Sequence, residues 1–425
     1  MGNNPASMTS NAPRRRTRVG ATAALAAGSI LSGLLAYVFF ALVTRGLGAE
    51  MAAPVSVLWS YWGFAAAGIT FPVQHWIARS VAADGRESTV RAALPRVAII
   101  AGTTAVVVGA VAWLVREPLF DLDGPEFPLL VVAVTLGSAA MGLVRGVLAA
   151  RQRYGAVGGV LIAENLVRCL VAQALLVAGV TDPAAYGGAL LAGYAACLAW
   201  PSAWRLAGGT ADDGRAAAFL GGAAGGQVLG QAVLTGGPVL LALAGSAPRD
   251  VTALFAGLAL FRIPYTLALG QVTQLTAGVT GLVMAGRRSR LTRLNRVVAG
   301  GTIAAALVAA AIGAGAGPPL LALIFGADVR LETGQTLLLA VGTTLALANL
   351  VLAVVVLAHD RAPLLVAVWV AALAPGALVF ALAPGTALDR TITAFVAVEA
   401  VVWIALLAVA GQAARRTATG LTNPA

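Results

Sequence analysis

Three arginines stand inside otherwise apolar runs of this 425-residue chain: Arg145, Arg168 and Arg262. A guanidinium in such a place is costly, so each needs an acidic partner, a wet cavity or an anion. Glu164 and Asn165 lie four and three residues before Arg168, and the helical period puts all three on one face. Two readings follow. The cluster offers net positive charge to a phosphate or sugar, with Arg145 at a similar depth across the hairpin; or Glu164 neutralises Arg168 and locks neighbouring helices together. Arg262 sits roughly 15 Å into a later apolar run at the helical rise, with Pro264 close by and no acid nearby in sequence. It either faces water and holds an anion through its forked donors or pairs with Glu399 of the last apolar run. Gln227 and Gln231, one turn apart, suit sugar hydroxyls or bonds to a neighbouring helix. The Gly222, Gly226, Gly230 ladder beside them reads as a close packing face.

Membrane helices must position these side chains. The chain is 59% hydrophobic and 11% charged, well under the roughly 25% charge of a soluble domain. A hydrocarbon core about 30 Å thick takes roughly 20 apolar residues of helix, and backbone groups there must bond within the segment. The sequence therefore predicts an all-α polytopic membrane protein. About twelve transmembrane helices are expected, near 19–43, 52–77, 97–115, 128–150, 156–179, 187–204, 216–243, 252–283, 297–324, 335–358, 363–384 and 391–412. The first follows Arg14, Arg15, Arg16 and Arg18, but its apolar run exceeds a signal-peptide core of about 7–15 residues and reads as an uncleaved helix.

The net charge is +11 and the chain holds no lysine. Its arginines lie between apolar runs rather than in a soluble basic domain, which argues against a nucleic-acid partner. With the N-terminus inside, 20 arginines fall in cytoplasmic segments. The opposite side holds five: Arg45, Arg116, Arg249, Arg330 and Arg390. That asymmetry predicts both termini in the cytoplasm of a bacterial plasma membrane. The RRSRLTRLNR run, 287–296, reads as a solvated cytoplasmic loop that attracts anionic lipid.

The expected organisation is an N-terminal cytoplasmic tail at 1–18, a first six-helix lobe at 19–205, a cytoplasmic linker at 206–215, a second lobe at 216–413 and a tail at 414–425. A shift of 208 positions sets Leu129, Leu130 and Arg153 on Leu337, Leu338 and Arg361, an echo of helix four in helix ten. Parallel repeats mark many transporters. No GxxxxGK[ST], HExxH or GxSxG occurs, so ATP hydrolysis and metal or serine hydrolysis have no motif here. Cys169 and Cys197 lie in apolar segments with no metal or disulfide spacing. No metal, cofactor or catalytic residue is expected.

The first helix ends in TRGLGAE, Thr44 to Glu50; VLAARQRYGAVGGVLIAENLVR runs from Val147 to Arg168; LIFGAD runs from Leu323 to Asp328. The order of these features resembles the Wzx-like oligosaccharide flippases of the multidrug/oligosaccharidyl-lipid/polysaccharide (MOP) exporter superfamily, over about residues 19–413. They are similar to that family's Arg-x-Leu-Gly turn after helix one, its turn between helices four and five with Asn and Arg following, and its Leu-Phe-Gly turn before helix ten. The family's Pro-x-x-Tyr-Gly after the first turn is replaced by Glu50-Met51-Ala52-Ala53-Pro54.

The resemblance implies two six-helix lobes around a central cavity, moving polyprenyl-diphosphate-linked saccharides by alternating access. Its implied partners are the lipid-linked saccharide, membrane lipids and other polysaccharide-assembly proteins. Arg262 then contacts the diphosphate, with Arg45, Arg145 and Arg168 at other depths, and Gln227 and Gln231 at sugar. Glu164 and Glu399 serve as ion-coupling or structural groups. A small-molecule antiporter of the same fold is the alternative. It needs a cation-binding carboxylate in the first lobe, where Glu164 is the one candidate. A membrane-embedded polysaccharide enzyme is a third reading; Asp121, Asp123 and Glu126 are too local to build its site.

Overall fold

Helix breaks, as much as apolar runs, set the architecture of this chain. A computed structural model describes residues 12–84, 87–206, 228–269, 272–359 and 361–416, and among them there is no strand. Helix α1 runs Ala12–Met51 with a kink at Gly48, whose φ of 73° suits glycine. Helix α2 starts at Ala53 with Pro54 in its first turn, where the missing N–H costs nothing. It continues through a π turn at Ala66–Thr70 into Phe71–Asp84. Pro72 follows that turn and cannot donate to the ladder, a common cause of a local change in helix winding.

Helices α3 (Ser88–Leu114), α4 (Glu126–Ala150) and α5 (Tyr154–Val177) are continuous, and the short helix Arg116–Phe120 joins α3 to α4. Helix α6 begins at Pro183–Ala192 and tightens to a 3-10 helix at Gly193–Ala199. In the second half, α7 is described as 228–235 and Gly237–Leu243. Helix α8 is three pieces, Pro248–Phe261, Ile263–Leu269 and Val272–Met284. Helices α9 (Arg288–Phe325), α10 (Thr333–Ala358), α11 (Ala362–Leu382) and α12 (Ala387–Arg416) complete the chain.

Eight of these helices are each long and apolar enough to cross a membrane. The other four expected spans are the broken or partly described α2, α6, α7 and α8. Their exterior is apolar: Ile99, Val106 and Leu114 on α3, Leu307 on α9 and Ile404 on α12 are all exposed. A soluble protein rarely presents so continuous a patch, whereas a lipid-facing belt requires it.

The helices gather in two lobes. Helix α1 packs along α5, and α4 along α2 and α3; in the second half α10 packs along α9, α12 and the last piece of α8. Helices four and ten thus hold matching places, each against the helix two before it and the one before it. Close approach relies on small residues. A Cβ at Gly28 would sit 2.7 Å from Gly158 Cα, and one at Gly142 would sit 2.7 Å from the Thr70 carbonyl oxygen. The Gly222 and Gly226 part of the expected ladder, and all but Leu206 of the expected linker, lie outside the described residues.

Several boundaries differ from expectation. The 287–296 stretch forms the start of α9 instead of a loop. Arginine is a good helix former, and Leu291 is buried against the second-lobe core while Asn295 Nδ2 donates to the Leu407 carbonyl on α12 at 3.3 Å. Helix α9 is 38 residues, about 57 Å at the helical rise, so it projects well beyond the hydrocarbon. The second helix runs past its expected end at 77 to Asp84, with Trp76 and Ile77 buried in the first-lobe core. The expected helix 187–204 is not one α-helix, since a 3-10 segment replaces its second half.

The lobes meet where α1 and α2 touch α7, α8 and α9. At the arginine-poor end six aromatic rings fill this seam: Phe39 and Phe40 from α1, Trp59 and Trp62 from α2, Phe255 from α8 and Phe325 from α9. Phe40 lies 4.6 Å from Phe255 and 5.5 Å from Phe325, centroid to centroid, and Trp59 lies 5.7 Å from Phe255.

Candidate functional site

Two of the charges buried in the first lobe, Arg168 and Glu164, satisfy one another. Arg168 on α5 is fully buried. Its Nη2 donates to Glu164 Oε1 at 2.5 Å, its Nη1 to Asn165 Oδ1 at 3.2 Å and its Nε to the Leu190 carbonyl at 2.9 Å. Trp62 and Tyr194 rings cover the guanidinium at 4.7 and 5.7 Å. Asn165 Nδ2 in turn donates to Ser32 Oγ on α1 at 2.8 Å. The departure of α6 from α-helical winding at Gly193 accompanies the use of the Leu190 carbonyl by Arg168. Gly193 also makes room: a Cβ there would lie 2.5 Å from Arg168 Nε.

Arg145 on α4 is 9% exposed and makes no hydrogen bond among the described residues; its Nε is buried without a partner. The ring of Phe71 lies 5.4 Å away. Its charge acts on Glu164 and on His75, yet Arg145 does not join Glu164 in an ion pair.

Arg262 occupies the first break of α8, between Phe261 and Ile263. Pro264 has no N–H for the Leu260 carbonyl, so the helix opens where the guanidinium leaves it. Arg262 is partly exposed, with its Nε buried and unpartnered. It has no ion pair among the described residues. Its guanidinium stands 5.6 Å from the Phe255 ring, just below the aromatic seal, and Tyr37 of α1 lies against it and against Thr266. Tyr37 and Arg262 therefore meet across the lobe seam.

Glu399, expected as the alternative partner of Arg262, instead takes a hydrogen bond from Asn349 Nδ2 at 2.7 Å. Gln231 faces the same seam: its Nε2 donates to Thr235 Oγ1 at 3.1 Å and packs against Gly63 of α2. Gln227 lies outside the described residues. Arg45 is exposed at the arginine-poor end, where its Nη2 donates to the Leu323 carbonyl of α9 at 2.9 Å. It spans the two lobes but lies far along α1 from Tyr37. No group of three metal-binding side chains occurs among the described residues.

Residue types alone did not single out Tyr37 or Tyr265. Tyr265 feels the charges of both Glu399 and Arg262. The available signal was a hydroxyl at helix depth; for Tyr265 it was the added proximity to Pro264 and Arg262.

This geometry lies on a known scaffold. The chain has the fold of the MATE transporters of the MOP superfamily. An inward-facing multidrug-resistance MATE transporter of that superfamily aligns with a TM-score of 0.69 at 13% identity, covering 92% of this chain and 96% of that one. An outward-facing structure of such a transporter gives 0.63 at 13% identity, covering 94% and 96%. A MOP superfamily transporter from Pyrococcus furiosus, whose binding pocket is described as having reverse polarity that suggests a different function, gives 0.64 at 13% identity, covering 94% and 95%. No family model and no curated protein matches the sequence.

Proposed function

We propose that this protein is an alternating-access flippase for a polyprenyl-diphosphate-linked saccharide or a related polysaccharide precursor. The observation that carries the reading is the guanidinium of Arg262 at the lobe seam, which has no ion pair among the described residues and which a helix break and a partly open setting leave available to an anion. Its fork of donors suits a diphosphate. Gln231 and Tyr37 lie on the same seam and offer polar groups to a sugar.

The antiporter alternative asks for a free first-lobe carboxylate, and Arg168 already occupies Glu164. Positive charge at the seam is also the wrong sign for a cationic drug. In this reading Arg168 is a positioning residue that fixes α5 to α6, and Arg45 is an interlobe tie at the closed end. Arg145 remains a second anion contact deeper in the first lobe.

The test is Arg262→Ala in cells and in proteoliposomes, scored for membrane abundance, thermal stability and translocation of a polyprenyl-diphosphate saccharide. Abundance stays near wild type and translocation falls roughly ten- to hundredfold, the loss expected for one charged hydrogen bond. Normal translocation by Arg262→Ala overturns the role. Wild-type transport of a cationic drug instead of the lipid favours the antiporter.

A further inference from the structure

Two tyrosines inside the first lobe use their hydroxyls fully or in part. Tyr61 bonds Thr135 Oγ1 at 2.5 Å, and Tyr194 donates to the Val134 carbonyl at 3.2 Å and bonds Ser138 Oγ at 2.9 Å. Tyr37 on α1 differs. Its hydroxyl is buried with no hydrogen bond among the described residues, although it lies against Arg262 and Thr266 of α8. Arg262 Nε, on the other side of the seam, is buried without a partner too. The Tyr186 hydroxyl shares that condition, but no charged group acts on it. Tyr37 therefore stands out as an unbonded hydroxyl set against a charge on the opposite lobe.

The groups that meet there are short of acceptors. A guanidinium only donates. Thr266 Oγ1 spends its proton on the Ile263 carbonyl at 2.8 Å, so it offers Tyr37 an acceptor and nothing more. The phenol oxygen of Tyr37 is thus what the first lobe presents to Arg262, and it is neutral. Buried donors left this poorly bonded are costly. An ionised oxygen would satisfy them better, since hydrogen bonds to a charged acceptor are roughly twice as strong. The contact also sits at a mechanically useful level. Tyr37 precedes Phe40 by about one turn on α1, and Arg262 follows Phe255 by about two turns on α8. Phe40 and Phe255 meet at 4.6 Å, so α1 and α8 touch through an apolar pair at the arginine-poor end and a polar pair below it.

We propose that Tyr37 is a positioning residue for Arg262: in the unloaded protein its phenol oxygen stands where an anionic oxygen of the substrate binds, so that loading Arg262 breaks a contact between the lobes. The identity of the anion rests on the flippase reading. An empty carrier then keeps its arginine-poor face shut through both the aromatic and the polar pair. A diphosphate oxygen arriving at Arg262 removes the lower tie and leaves the aromatic pair alone to hold α1 on α8. The displaced hydroxyl is free to meet the saccharide, and it returns to Arg262 when the cargo leaves.

The test uses the full chain in lipid nanodiscs and inorganic pyrophosphate, which carries the diphosphate without lipid or sugar. Val57→Cys, beside the aromatic seam, reports opening through its rate of labelling, and Tyr37→Phe is added to it. That change keeps the ring and removes the hydroxyl. Without pyrophosphate, Tyr37→Phe should speed labelling by about three- to tenfold, the worth of one neutral hydrogen bond. Pyrophosphate should speed labelling of the parent and add little to Tyr37→Phe. Calorimetric titration should show pyrophosphate binding more tightly to Tyr37→Phe by a similar factor, because one competing contact leaves both equilibria.

The affinity separates this role from its rivals. An unchanged affinity means that Tyr37 ties the lobes without standing in the anion's place, and a weaker one means that its hydroxyl is itself a ligand of the anion. Either result overturns the proposal, as does a labelling rate equal to that of the parent. Arg262→Ala divides these failures from failure of the flippase reading. If pyrophosphate does not bind the wild type, or binds Arg262→Ala equally well, the anion site and the proposed function fall together. If Arg262→Ala abolishes binding while Tyr37→Phe leaves the affinity unchanged, the anion site stands and only the displacement falls.

Discussion

Arg168 illustrates how much of a membrane-buried charge is decided by its immediate neighbours. Three of its donors are used, and two aromatic rings close over it. Arg168→Ala leaves Glu164 buried without a cation, a cost of roughly 3–5 kcal/mol. The expected outcome is loss of membrane abundance and of thermal stability, with partial recovery in Arg168→Ala/Glu164→Gln. Equal instability of the single and double variants would show that the ion pair is not what Arg168 supplies. Gly193→Ala is a gentler probe of the same contact. Its methyl group meets Arg168 Nε at 2.5 Å and the Glu164 carbonyl oxygen at 2.8 Å, and overpacking of this kind costs about 1–3 kcal/mol. It should lower the unfolding temperature while both charges remain. The Glu164–Arg168 spacing was legible because a helix converts a separation of four residues into contact. Gly193 was not, since it reaches Arg168 only through the packing of α6 on α5. Glu399 was legible as costly, but sequence reasoning sought a charge for it. The structure supplies an amide fifty residues away, which no periodicity encodes.

At the scale of elements, continuous apolar runs such as α4 and α10 were readable nearly to their ends, because lipid permits only internal backbone bonding. The broken elements were not. The π turn in α2 and the change of winding in α6 arise where Pro72 and the Arg168 contact redirect backbone groups, and those effects depend on neighbours. The basic start of α9 was misread for a related reason. Arginine reports the end of the hydrocarbon, not the end of the helix, and Leu291 and Asn295 continue the packing beyond it. A second arginine organises the ends of the first lobe. Arg151 grips Glu87 with two donors, Nε at 2.6 Å and Nη2 at 2.8 Å, and also donates to the Ser202 and Arg205 carbonyls at 2.7 and 2.9 Å. It ties the α2–α3 and α4–α5 turns to the exit of α6. Burial is partial, but the fork is something a lysine ammonium cannot reproduce. Arg151→Lys should therefore cost about 1–2 kcal/mol, seen as a lower thermal midpoint with unchanged insertion. A midpoint equal to wild type would show the node to be dispensable.

For the whole molecule, the arginine asymmetry makes an orientation that can be measured directly. In intact cells an impermeant thiol reagent should label Asp123→Cys and leave Ser289→Cys untouched; the reverse pattern would invert the topology. In the expected orientation the aromatic seam closes the outer face, and a small cavity of about 130 Å³ lies above it, lined by Ala53, Val57, Leu119, Ala242 and Val251 among others. Phe40 touches Trp59, Phe255 and Phe325 at once, so it joins both lobes only while this face is shut. Truncation of a buried Phe costs about 3–5 kcal/mol in a packed core. Only the part absent from the outward-open state shifts the balance between states. If a third of that cost is specific to closure, roughly 1.4 kcal/mol, the open population rises about tenfold. Phe40→Ala should then accelerate external labelling of Val57→Cys by that factor, and Phe255→Ala should do the same from the opposite lobe. Leu307→Ala, which alters only the lipid-facing side of α9, should leave the rate unchanged. Equal labelling rates in all three would mean that the aromatic rings stabilise the lobes without holding the gate.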